Sequence, residues 1–142
     1  MTIAAILQGQ NREVVHLEST ATVQQAAQLL SDYRIGCLPV VDGSKVVGII
    51  SERDIVRLLA QSGLNLLDQP VSTVMTSPAL TISPNIAVMS ALSLMTQRRI
   101  RHLPVVEGSR MIGFVSIGDL VKYRIDRMEA EASAMREYIQ SA

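Results

Sequence analysis

The chain has 142 residues, 48% of them hydrophobic and 18% charged, with thirteen basic side chains matched by thirteen acidic ones. That balance excludes intrinsic disorder and removes the global field that would draw the chain to nucleic acid or to an anionic membrane. The single cysteine, Cys37, excludes an intrachain disulfide framework and suits a reducing, cytoplasmic compartment. No signal peptide is visible, and no apolar run approaches the about 20 residues of a membrane span.

In chain order, the first apolar piece is Val14-Val15-His16-Leu17. Ser19, Thr20 and Thr22 can cap the helix that follows. Its apolar positions Val23, Ala26, Ala27 and Leu30 fall at i, i+3, i+4 and i+7, one buried helical face. Two β-branched runs then flank Asp42-Gly43, a hairpin signal. Pro39 cannot donate to a ladder and is expected at a strand start or edge. A second helix is predicted from Ser51 to about Ala60. The order then repeats. Leu80-Thr81-Ile82 is the apolar piece, and Ser83-Pro84 is read as a helix start. Val88, Ala91, Leu92 and Met95 form the helical face, Glu107-Gly108 separates the hairpin runs, and Ser116 opens a helix.

The repetition is literal. Residues 35–56 read IGCLPVVDGSKVVGIISERDIV and residues 100–121 read IRHLPVVEGSRMIGFVSIGDLV, at a gapless offset of 65. The chain is therefore a duplication: repeat 1 over 1–65, repeat 2 over 66–125, and a helical extension over 126–142. Each unit is β-α-β-β-α, and a copy alone would be marginal. The expected fold is α/β, with the two copies packed sheet-to-sheet as one pseudo-two-fold module around a shared core. In the tail, Val121, Ile125, Met128, Ala132, Met135 and Ile139 are spaced 4, 3, 4, 3, 4. This is an apolar seam of about two and a half heptads. A helix packed on its own module and a dimer contact both stay open.

Candidate chemistry gathers where strands turn into helices. Ser51 and Asp54, and Ser116 and Asp119, stand at Ser-x-x-Asp spacing. One reading is a helix cap with a dipole-complementing acid. The other uses the same corner as a ligand site: exposed N–H groups for an anion, a hydroxyl, and a carboxylate able to accept from a ribose diol. Arg98, Arg99, Arg101 and His102 crowd the following helix-to-strand junction. They are either a solvated patch or a phosphate clamp, to which Arg53 could add. The first copy has Tyr33, Arg34, Gly36 and Cys37 there, so the halves are chemically unequal. There is no Walker A or G-x-G-x-x-G sequence, no metal-ligand spacing and no nucleophile–base pair, so neither a catalytic residue nor a metal site is assigned. With one Phe, three Tyr and no Trp, a bound ring is expected to meet aliphatic side chains.

The paired segments, Arg34 to Gly43 with Gly48 to Asp54 and Arg99 to Gly108 with Gly113 to Asp119, resemble the CBS domain; two in order resemble a Bateman module. The resemblance covers about residues 1–125. It implies a stand-alone regulatory or energy-sensing protein, not an enzyme. Such a module binds AMP, ADP, ATP, S-adenosylmethionine or a dinucleotide such as NAD between its repeats, with AMP or ATP the leading expectation here. In the family the corner Ser and Asp hold phosphate and ribose. One implied site is Ser51 and Asp54 with Pro78, Ala79 and Ile100 around adenine, and Arg99, Arg101, His102 and Arg53 near phosphates. The other is Ser116 and Asp119 with Glu13, Val14, Ile35 and Gly36, where Glu13 disfavours phosphate. The resemblance also implies a homodimer and a partner enzyme or transporter that reads the ligand state. A ligand-independent dimerisation scaffold is the alternative.

Overall fold

A computed structural model describes residues 1–10 and 13–141. Helix α1 (Ile3–Gly9) leads to strand β1 (Leu17–Glu18), helix α2 (Val23–Tyr33), strands β2 (Cys37–Asp42) and β3 (Lys45–Ser51), and helix α3 (Glu52–Ser62). Two 3-10 turns (Gly63–Asp68 and Val71–Thr73) connect to α4 (Val88–Arg98), β4 (His102–Glu107), β5 (Arg110–Ser116) and α5 (Ile117–Ser141). The predicted first strand is thus shorter than 14–17. Its counterpart in the second copy shrinks to one parallel bridge, Ile82 with Val105.

Local chemistry explains the elements. The two-residue turns after Asp42 and Glu107 place Gly43 and Gly108 at φ of +64° and +61°, a left-handed region that glycine enters at little cost. Thr22 caps α2: its hydroxyl accepts from the Gln25 N–H, and the Gln25 side chain accepts from the Thr22 N–H. Helix α4 departs from expectation. It starts at Val88, and Ser83-Pro84 lies upstream in a turn closed by the Asn85 N–H on Ser83 Oγ. No side chain caps α4; the Val88 N–H donates to the carbonyl of Met1 instead, so a backbone group from the far end of the chain does the capping. Pro104 lies in the edge strand β4, where its carbonyl accepts from the Ile82 N–H.

All five strands form one sheet in the order β1-β2-β3-β5-β4. The halves join edge to edge through a single register pair, Lys45 with Arg110, and the Met111 N–H on the Ser44 carbonyl. This corrects the expectation of sheet-to-sheet packing around a shared core: there are two cores. Leu17, Val23, Leu30, Leu38, Val40 and Ile50 build one, and Val88, Met95, Leu103, Val105, Val115 and Leu120 build the other. Each takes in the leading segment of the opposite copy. Ile3 and Ile6 of α1 enter the second core, while Leu66 and Val71 of the 3-10 turns enter the first. Beyond Arg124 every described residue of α5 is exposed, so the tail seam does not pack on its own module.

Candidate functional site

Each repeat turns from strand to helix through a closed capping box. Ser116 Oγ accepts from the Asp119 N–H at 3.1 Å, and an Asp119 carboxylate oxygen accepts from the Ser116 N–H at 2.9 Å. Ser51 and Asp54 repeat this at 3.1 Å each. The capping reading of both motifs is therefore real, and it fixes the corner geometry on which any ligand role must be built.

What distinguishes the corners is the space beside them. A cleft of about 380 Å³ opens at Ser116 and Asp119, within the about 300–1,000 Å³ usual for small-molecule sites. Three stretches wall it: Gln10, Glu13, Val14 and Val15 from the connector after α1; Tyr33, Ile35, Gly36 and Cys37 from the α2–β2 junction; and His102, Phe114, Ser116 and Asp119 from the second repeat. It is thus an inter-repeat cleft. It brings together Glu13, Val14, Ile35, Gly36, Ser116 and Asp119, all six residues that the family resemblance groups there.

The other grouping is not assembled in this cleft. Ser51, Arg53, Asp54, Pro78, Ala79, Arg99, Ile100 and Arg101 do not line it. Arg53, Arg99 and Arg101 are exposed. Asp54 accepts from Arg57 at 3.3 Å as well as from the Ser51 N–H, a partner one helical turn along that sequence reasoning missed. The strip before Pro78 is laced to β3: Thr76 exchanges both backbone hydrogen bonds with Ile49, and Ser77 Oγ donates to the Val47 carbonyl.

His102 requires a correction. Grouped with Asp54 by sequence, it pairs across β4–β5 with Ser116 and lines the Asp119 cleft. Its ring stacks on Phe114, with centroids 5.5 Å apart and planes 12° from parallel. Burial pushes its pKa below 6.5; the Asp119 charge opposes that shift and Arg101 adds to it. Cys37, also in the cleft wall, is buried, and burial foremost, with the Asp54 charge, pushes its thiol up to about 12. Beside the aliphatic Val14, Val15 and Ile35, Tyr33, Phe114 and His102 bring three rings to the cleft. Phe114 was findable: it stands two residues before Ser116 on one strand, and such residues share a face. Gln10 and Val15 carried no such signal, and Tyr33 and Cys37 stand out in the sequence only as the uncharged counterparts of Arg98 and His102.

The residues that place this wall owe their positions to close packing. At Gly113 a Cβ would lie 2.5 Å from a Leu7 methyl, so α1 reaches β5 only because that side chain is absent. Ile35 is set by the end of α2, where Arg34 takes a left-handed φ of 53° and the Ile35 N–H returns to the Leu30 carbonyl at 3.1 Å.

The CBS domain family model matches residues 6–61 and 71–126. The chain belongs to the CBS domain family. Among relatives of this CBS pair, a mitochondrial CBS domain-containing protein of Arabidopsis thaliana is 36% identical over 84% of the chain, which spans 60% of that relative's length. The CBS domain-containing protein YhcV of Bacillus subtilis is 31% identical over 85% of the chain and 84% of its own. Among solved structures, a CBS-domain protein of Agrobacterium tumefaciens superposes with a TM-score of 0.81 at 35% identity, covering 87% of this chain and 99% of that one. A CBS domain protein of Pyrobaculum aerophilum, complexed with AMP, gives 0.73 at 31%, covering 84% and 89%. The CBS domain pair of protein MJ0100, in complex with 5′-methylthioadenosine and S-adenosyl-L-methionine, gives 0.77 at 26%, covering 89% and 98%. Among the described residues no helix is long and apolar enough to cross a membrane.

Proposed function

We propose that this CBS pair is a regulatory module that binds an adenine nucleotide in the inter-repeat cleft and passes its ligand state to a partner enzyme or transporter. The carrying observation is the cleft itself. Val14 and Ile35 from one half face a hydroxyl and carboxylate, Ser116 and Asp119, from the other. An apolar wall suits a purine, and an Asp carboxylate, with about four acceptor positions, suits a ribose diol. Relatives of the same fold hold AMP, or 5′-methylthioadenosine and S-adenosyl-L-methionine, which supports the class. Glu13 at the rim favours the less phosphorylated members, AMP before ATP. The related corner at Ser51 and Asp54 is proposed as a second, phosphate-tolerant site served by Arg99 and Arg101. The action is a population shift, bounded by the difference in ligand affinity between the module's two states.

A thermal-shift and calorimetric series with AMP, ADP, ATP, NAD and S-adenosylmethionine tests the reading. Ligand well above its dissociation constant is expected to add a few kcal/mol of stability. Absence of any shift leaves the scaffold alternative. Asp119→Asn separates capping from binding. The amide keeps an oxygen to accept from the Ser116 N–H, so stability should hardly move, while nucleotide affinity falls by about 1–3 kcal/mol. Ser116→Ala, by contrast, is expected to cost about 1 kcal/mol of stability as a lost cap. Unchanged affinity in Asp119→Asn would remove Asp119 from the site.

A further inference from the structure

The exposed seam of α5 has a charge pattern that selects its partner. Val121, Ile125, Met128, Met135 and Ile139 are 41%, 48%, 52%, 60% and 66% exposed, and Ala132 between them is exposed too. The 4-3-4-3-4 spacing makes Ile125, Ala132 and Ile139 a positions of a heptad, and Val121, Met128 and Met135 d positions. Flanking them, Arg124 and Glu131 take g, and Glu129 and Arg136 take e. In a parallel, in-register pair of helices each g residue faces the e residue five positions on in the other strand. The two such lines are Arg124 with Glu129 and Glu131 with Arg136, opposite in sign at both levels.

The reverse orientation must give up either layers or charge: a stagger that sets Lys122 by Glu129 and Arg124 by Glu131 leaves Met135 and Ile139 uncovered. An antiparallel pair that stacks its a and d layers, with Ala132 against Met128, sets Lys122 near Arg136, Glu129 near Glu129 and Glu131 near Glu131. All three are like-charge contacts, which act against a partner. β-Branched Ile125 and Ile139 at a suit a two-stranded pairing, and Ala132 lets the backbones approach. We infer that α5 is the dimerisation element of this chain, pairing with α5 of a second copy as a short parallel two-stranded coiled coil. Its occupant is a second copy because the charge code is complementary to itself. The seam's 19 residues from 121 to 139 make less than three heptads.

Two full-length variants test this. One carries Arg124→Glu with Glu131→Arg; the other carries Glu129→Arg with Arg136→Glu. Each alone puts like charges on both lines, and sedimentation equilibrium is expected to show self-association weakened at least about tenfold. Mixed together, the two restore all four pairs and are expected to form the mixed dimer in preference to either parent. Monomeric natural chain, unaltered self-association in the variants, or random mixing overturns the inference. Cysteine pairing reports orientation, since the natural thiol Cys37 is buried. Under mild oxidation Met128→Cys and Ala132→Cys should each cross-link to itself. If they cross-link only to each other, the pair is antiparallel and the inference fails. All the substituted residues except half-buried Arg124 are exposed, and unchanged melting of the separate modules at low concentration certifies the fold.

Discussion

His102 stands where sheet, stacked ring and cleft meet. It faces Ser116 across the hairpin, lies on Phe114 and borders the space beside Asp119. Burial favours its neutral form, so its folded pKa is below 6.5, and Asp119 only partly restores it. The consequence for stability has a definite sign. Below about 6.5 the unfolded chain takes up a proton that the folded chain resists, so folding becomes less favourable as pH drops from there through the folded pKa. Above about 6.5 both states are neutral at this residue and its contribution is constant. Urea unfolding at about pH 7.5 and 5.5 should therefore show a larger loss for the natural chain than for His102→Gln. Equal losses would mean that other groups carry the acid sensitivity.

At the scale of elements, legibility followed the range of the interaction. The boxes Ser51/Asp54 and Ser116/Asp119, the Thr22 cap and the glycine turns are contacts among near neighbours, and their residue types announced them. The start of α4 was misread at Ser83-Pro84 because its cap is the Met1 carbonyl, and a backbone oxygen leaves no mark in the sequence. The cleft was half legible for the same reason. Six residues followed from the resemblance to the CBS domain, whereas His102 reaches it only through how the halves meet. The left-handed C-caps were also silent, since both positions hold arginine, Arg34 at φ 53° and Arg99 at φ 54°. A non-glycine residue there is strained by about 1–2 kcal/mol, and the Ile35 and Ile100 N–H groups that close these turns bind back to Leu30 and Met95. Replacing one by glycine relieves strain but loosens the unfolded chain. Arg99→Gly is expected to gain about 0.5–1 kcal/mol, read as a higher melting temperature. Arg99 is also proposed at the phosphate-tolerant corner, so the same variant should bind ATP more weakly. A gain in stability with unchanged ATP affinity would leave Arg99 a conformational oddity without a ligand role.

For the whole molecule, the question is what makes two weakly joined halves one unit. The sheet junction is a single register pair, Lys45 with Arg110, too little to couple two cores. The exchange of leading segments does more. Ile3 and Ile6 belong to the first copy in sequence yet complete the second core, and Leu66 and Val71 do the reverse. Neither copy can close its core from its own repeat alone, which matches the marginal burial expected of a single copy. The cleft depends on this exchange, because Gln10, Glu13, Val14 and Val15 follow α1, anchored on the second core, into the wall beside Ser116 and Asp119. Ile3 is fully buried, so Ile3→Ala should cost about 2–5 kcal/mol. If the exchange couples the halves, both cores should still melt in one transition, with calorimetric and van't Hoff enthalpies equal. The same substitution should weaken nucleotide binding although residue 3 does not line the cleft. A split into two transitions, with the first core melting at its original temperature, would show that the halves fold independently.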